Sequence, residues 1–118
     1  MDRTPTQTRE EGVRRGVDDQ QAVRVYRTEC RREGERLLAW YRHAMGARSY
    51  AQQRQVVEVA ARNTNYLLPT LRELITVAER ELAELRLVPQ VPAVRLVRQE
   101  RYVAGLQSLW EILVEAMV

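Results

Sequence analysis

The sequence predicts an all-α fold with three helices per chain, the central one long. Two observations carry that prediction. Apolar residues recur at three- and four-residue steps through three separate stretches, and Gly46 and the Pro89 to Pro92 segment punctuate the gaps between them. A third concerns size: 118 residues with 45% apolar content allow one compact core, yet three helices in a row bury little against each other. A homo-oligomer is therefore expected.

Residues 1–18 contain Pro5, Gly12, Gly16 and almost nothing apolar, so they lack the surface needed to offset the cost of ordering. They read as a mobile arm ahead of a single helical domain over 19–118. Thr8 and Glu11 have capping-box spacing, an early helix start that the two glycines weaken.

The first helix is predicted from Asp19 to Met45. Steps of 100° gather Val23, Tyr26, Cys30, Leu37, Trp40, Tyr41 and Ala44 on one side, which is the face expected to be buried. Arg24, Arg27, Arg31 and Arg42 fall on another stripe. Glu33 projects from the apolar side with Gly34 behind it, a place for a bend or for a carboxylate paired across an interface. Gly46 stands where a C-cap glycine would.

Ser49 is the next N-cap candidate. Beyond it, Val57, Ala60, Ala61, Thr64, Leu68, Leu71, Ile75, Ala78, Leu82 and Leu85 follow one stripe whose phase survives Pro69. Proline inside a helix costs ~3 kcal/mol, but the kept register favours one long kinked helix over 50–86 rather than two helices. Val88, Pro89, Val91 and Pro92 then make a stiff turn. The third helix starts near Ala93, with Tyr102, Val103, Leu106, Leu109, Trp110, Leu113 and Met117 on its apolar side. It stays apolar to Val118, so its end asks for a covering surface.

All nineteen cationic side chains are arginine, and none is lysine. Arginine's planar fork grips phosphate and carboxylate at two points, which suits the chain to holding anions. Lys, Phe, Ile and Asn are all scarce, the pattern that GC-rich codons or an overlapping reading frame would impose. The net charge is only +3, with a sequence pI near 9.5. Residues 1–62 hold thirteen arginines against nine acidic residues, and residues 63–118 hold six against seven. An anion-binding surface should draw mainly on the first two helices.

Nothing in the chain suggests catalysis, and no cofactor or small-molecule substrate is expected. His43 is the only histidine and Cys30 the only cysteine, too few for a metal site of the usual kind. The glycines are scattered rather than set in a phosphate loop, and Ser49 and Ser108 have no base nearby in sequence. A lone cysteine fits a reducing compartment. The absence of an apolar run of ~18 residues argues against a membrane span, and no signal-peptide pattern opens the chain. A cytoplasmic location and no membrane partner are the resulting expectations.

Arg54 and Arg72 stand eighteen residues apart, as do Arg62 and Arg80. In one continuous helix that interval is five turns and ~27 Å, placing all four on a ribbon opposite the apolar stripe. Such a ribbon suits contact with the backbone of double-stranded RNA, with Asn65 and Thr76 as further donors and the Arg24, Arg27, Arg31 stripe as a secondary surface. Glu58, Glu73 and Glu79 interleave, so a solvated face of ordinary i,i+4 pairs is the competing reading. A helical adaptor that docks another protein through its C-terminal apolar helix is the alternative function.

Ala44, Met45 and Gly46 followed by Ser49 and Tyr50, then Thr76, Val77 and Arg80, then Pro89 and Val91, are short motifs in a fixed order. Over about residues 37–96 this layout resembles the small nodaviral suppressors of RNA silencing, with one extra residue at the first junction. In that family the long helix is continuous and lysine mixes with arginine, whereas Pro69 stands within it here. The resemblance implies an antiparallel homodimer forming a four-helix bundle. It also implies that the paired long helices bind A-form RNA and hide it from Dicer in the host cell cytoplasm. An overlapping frame would account for the missing lysines.

Overall fold

The computed structural model describes residues 5–46, 48–63 and 67–117, with the side chains of 5–17 and 63 excepted. Four helices make up the described chain: α1 (Pro5–Met45), α2 (Tyr50–Asn63), α3 (Leu67–Leu87) and α4 (Ala93–Ala116). The all-α class is as the sequence predicts. The count of three is not.

The expected second helix divides, because α2 ends at Asn63 and α3 begins at Leu67. Pro69 is then the third residue of a new helix, where its missing N–H would have had no intrahelical partner anyway. The first helix also departs from expectation by starting at Pro5 instead of Asp19. Proline is favoured at the first helical position, its φ already set for the helix. Residues 1–4 lie outside the described residues.

The junctions obey local chemistry. The backbone N–H of Gly46 donates to the carbonyls of Arg42 and His43 and closes α1. At the start of α2, Ser49 N–H donates to Gln52 Oε1 at 3.0 Å, and Gln52 N–H donates back to Ser49 Oγ at 3.3 Å. That reciprocal pair is a capping box with glutamine at its third position. Gln53 Nε2 adds a 2.7 Å bond to the Met45 carbonyl and so ties the end of α1 to α2. The turn between α3 and α4 places Gln90 at φ 64°, the left-handed region, between the two prolines.

The α3–α4 hairpin is the most extensive helix pair and holds the core. Leu71, Leu106, Leu109 and Leu113 are fully enclosed, each burial contributing roughly 1.5–3 kcal/mol. Leu74, Ala78, Leu82, Tyr102 and Val103 extend this layer, and α2 adds Val57 and Ala61. Helix α1 lies across the hairpin and contributes mainly half-buried Cys30, Leu37, Leu38 and Tyr41. Its later part runs beside α4, with Leu38 against Gly105 and with Tyr41 and Met45 in the neighbourhood of Ile112 and Ala116.

Three of the seven residues on the predicted apolar face of α1 stay in contact with solvent. Val23, Tyr26 and Trp40 are all exposed. For Val23 and Tyr26 the reason is length, since α1 has 41 residues against 24 in α4 and overruns the elements that could cover it, whereas Trp40 borders an open groove beside α2. The end of α4 behaves in the opposite way. Leu109 and Leu113 are buried within the chain and Trp110 is half-buried, leaving Met117 as the exposed apolar residue of its last described turn.

Candidate nucleic-acid interface

Helix α3 presents Arg72, Thr76 and Arg80 at four-residue steps, all exposed. Neither arginine has a carboxylate within ion-pair distance among the described residues. The acidic residues near them stay at the surface but hydrogen-bond to side chains of α1 and α4. Glu73 accepts a short hydrogen bond from the Tyr26 hydroxyl of α1, which raises the tyrosine's pKa. Glu79 accepts from Gln107 Nε2 of α4 at 2.7 Å. Glu84 is gripped at two points by Arg27, both at 2.8 Å. That bond holds the Glu84 carboxyl below its ordinary pKa, with the charge of Arg80 as a smaller contribution. The hydroxyl of Thr76 donates to the Arg72 carbonyl at 2.9 Å, which fixes its rotamer on the exposed face.

The other predicted contacts divide into free and engaged groups. Arg62 and Arg24 are exposed, with no ion pair among the described residues. Arg54 pairs with Glu58 at 3.3 Å, the i,i+4 arrangement of a solvated face. Arg27 is committed to Glu84. Arg31 is half-buried, donates to Gln99 at 2.6 Å and to Glu35 at 2.9 Å, and lies 3.8 Å over the centroid of the Tyr102 ring. These last two arginines fasten α1 to the hairpin. Asn65 lies outside the described residues. The Arg54–Arg72 and Arg62–Arg80 intervals both run from α2 into α3, so they are not five turns of one helix.

Comparison with known proteins adds no identification. No family model, no curated protein and no solved structure matches the chain. His43 is exposed on α1, and no group of three or more metal-binding side chains stands together among the described residues.

Sequence reasoning missed a second cationic feature. A cleft of about 500 Å³ opens where α1, α3 and α4 meet, with Arg27, Arg31, Arg95 and Arg98 facing Glu81 and Glu84. Burial pushes the Glu81 carboxyl above its ordinary pKa, and the charges of Arg27 and Arg31 oppose that shift only in part. Burial likewise pushes the Tyr102 phenol up to about 12. The three-residue spacing of Arg95 and Arg98 was visible in the sequence, but nothing local announced that α1 would bring two more arginines to meet them.

Proposed function

We propose that the protein binds double-stranded RNA by backbone and shape recognition, as a viral suppressor of RNA silencing that shields the duplex from Dicer in the host cell cytoplasm. The observation that carries this reading is the α3 face: Arg72 and Arg80 stand exposed, with no ion pair among the described residues, while the intervening carboxylates are held by α1 and α4. Eight residues of helix separate the two guanidiniums by ~12 Å, enough to reach more than one phosphate of a strand. Thr76 between them offers hydroxyl lone pairs to a 2′-hydroxyl. Arg62 and Arg24 extend the cationic surface, while Arg54 takes part by exchanging Glu58 for phosphate. Recognition through the backbone needs no base readout, which suits A-form RNA with its inaccessible major groove.

A homodimer is part of the proposal. Trp40 with Val56, Val59 and Ala60, bordered by Arg48, Gln52 and Gln55, lines a groove between α1 and α2 that a second copy would cover. The alternative adaptor role through the C-terminal helix has little left to work with, since Leu109 and Leu113 are already buried within the chain.

The test is a gel-shift titration against matched ~25-base-pair double-stranded RNA, double-stranded DNA and single-stranded RNA at two salt concentrations. Salt-sensitive retention of double-stranded RNA alone is expected. Arg72→Ala with Arg80→Ala should abolish that retention, while sedimentation still shows the dimer. Loss of dimer and RNA together would make these arginines structural, and no retention of any nucleic acid would sink the proposal.

A further inference from the structure

The tip of the α3–α4 hairpin is apolar and open to solvent. Leu87 is 83% exposed and Val94 68%, with Val88 and Val97 beside them. Four large aliphatic side chains within eleven residues form a patch of a kind that folded chains seldom leave uncovered without a use. The tip is also stiff, because Pro89 and Pro92 flank Gln90 in its left-handed turn. A cationic border surrounds it. Arg95, Arg98 and Arg101 are exposed on the first turns of α4, and none has an ion pair among the described residues. Arg95 and Arg98 also line the cleft directly behind the tip, where Arg27 and Arg31 outnumber Glu81 and Glu84 with them. The first turn of α4 has no side-chain cap, so its positive end faces the same region.

We propose that this tip docks the protein on an anionic lipid bilayer, with Leu87, Val88 and Val94 entering the interface and Arg95 and Arg98 taking lipid phosphates. An aliphatic tip offers nothing to RNA, whose bases stack on aromatic rings and whose backbone wants charge alone. A second copy meeting tip to tip would set Arg95 and Arg98 against their own equivalents, and like charges facing each other oppose that contact. A bilayer supplies both halves of the match: an apolar boundary a few Å beneath a layer of negative charge. No helix among the described residues is long and apolar enough to cross a membrane, and surface docking needs none. The inference goes beyond RNA binding and uses neither Arg72 nor Arg80.

The experiment is co-sedimentation of the full chain with vesicles of phosphatidylcholine alone and of equimolar phosphatidylcholine and phosphatidylserine. Binding to the anionic vesicles only, weakening with salt, is expected. Leu87→Gln with Val94→Gln, and separately Arg95→Gln with Arg98→Gln, should each lower the bound fraction by roughly tenfold or more. All four positions are exposed, so melting curves should match the parent protein. The Arg72→Ala, Arg80→Ala variant should bind vesicles as the parent does, which separates this outcome from the fate of the RNA reading. Absence of binding, or an aliphatic variant that binds undiminished, overturns the proposal. Concentration-dependent self-association lost in Leu87→Gln would overturn it in favour of a second copy.

Discussion

Gly34 is the position where one methyl group matters most. A Cβ built there would lie 1.9 Å from the Tyr102 hydroxyl and 2.9 Å from its ring carbon Cζ. Tyr102 is buried and carries the Arg31 guanidinium on its face, and Arg31 in turn holds the buried Gln99, whose Nε2 donates to the Ala78 carbonyl. The ring has little room to retreat. Gly34→Ala should therefore cost about 1–3 kcal/mol in urea unfolding, although alanine is the better helix former by about 1 kcal/mol. Tyr102→Phe removes the closest atom, so part of the loss should return in the double variant. At Gly105 the nearest atoms to a new Cβ are Leu38 methyls at 3.4 Å, an ordinary contact, and no such penalty is expected there. A Gly34→Ala protein as stable as its parent would mean that Tyr102 does not fix α1 on the hairpin. Sequence alone suggested a bend at Gly34, since the need for close approach comes from a side chain sixty-eight residues away.

At the scale of elements, the division between α2 and α3 decides how the central segment packs. Val57, Ala61, Leu71, Ala78 and Leu82 are buried as their spacing foretells, because every helix that meets this core must obey the same period. The spacing failed at one step. Leu74 is the fully buried residue between Leu71 and Ala78, with Ile75 beside it only half-buried, since both lie within the same apolar stripe and Leu74 falls nearer its centre. The interruption was hidden in the sequence by a stripe that keeps its register across a short gap. Its consequence for Pro69 is specific. In the interior of one long helix, replacing proline would recover ~3 kcal/mol. In the first turn of α3 the same change removes no clash and adds no bond, so Pro69→Ala should move unfolding free energy by under about 0.5 kcal/mol. Far-UV helicity should stay unchanged. A clear gain in both would restore the continuous helix.

The arginine stripe shows what the whole molecule adds to its elements. Arg72 and Arg80 were legible as a ribbon of cations, but the interleaved Glu73 and Glu79 suggested the ordinary pairs of a solvated face. Only the tertiary arrangement gives those two carboxylates Tyr26 and Gln107 as hydrogen-bond partners. The same arrangement spreads stability unevenly. Leu71, Leu106, Leu109 and Leu113 concentrate enclosed surface in the α3–α4 hairpin, while every side chain from Asp18 to Tyr26 is exposed. Helix α2 lies between these extremes, with Val57 and Ala61 as its buried anchors. Local opening costs less free energy where less apolar surface holds an element down. Native-state hydrogen exchange should thus be slowest for amides of α3 and α4 around those leucines, faster in α2, and fastest over residues 18–25. Equal protection across all helices would contradict this gradient. Concentration supplies the further discrimination: a second copy covering α1 and α2 should slow exchange in both as protein concentration rises. Protection in the α3–α4 hairpin, which needs no partner, should not change.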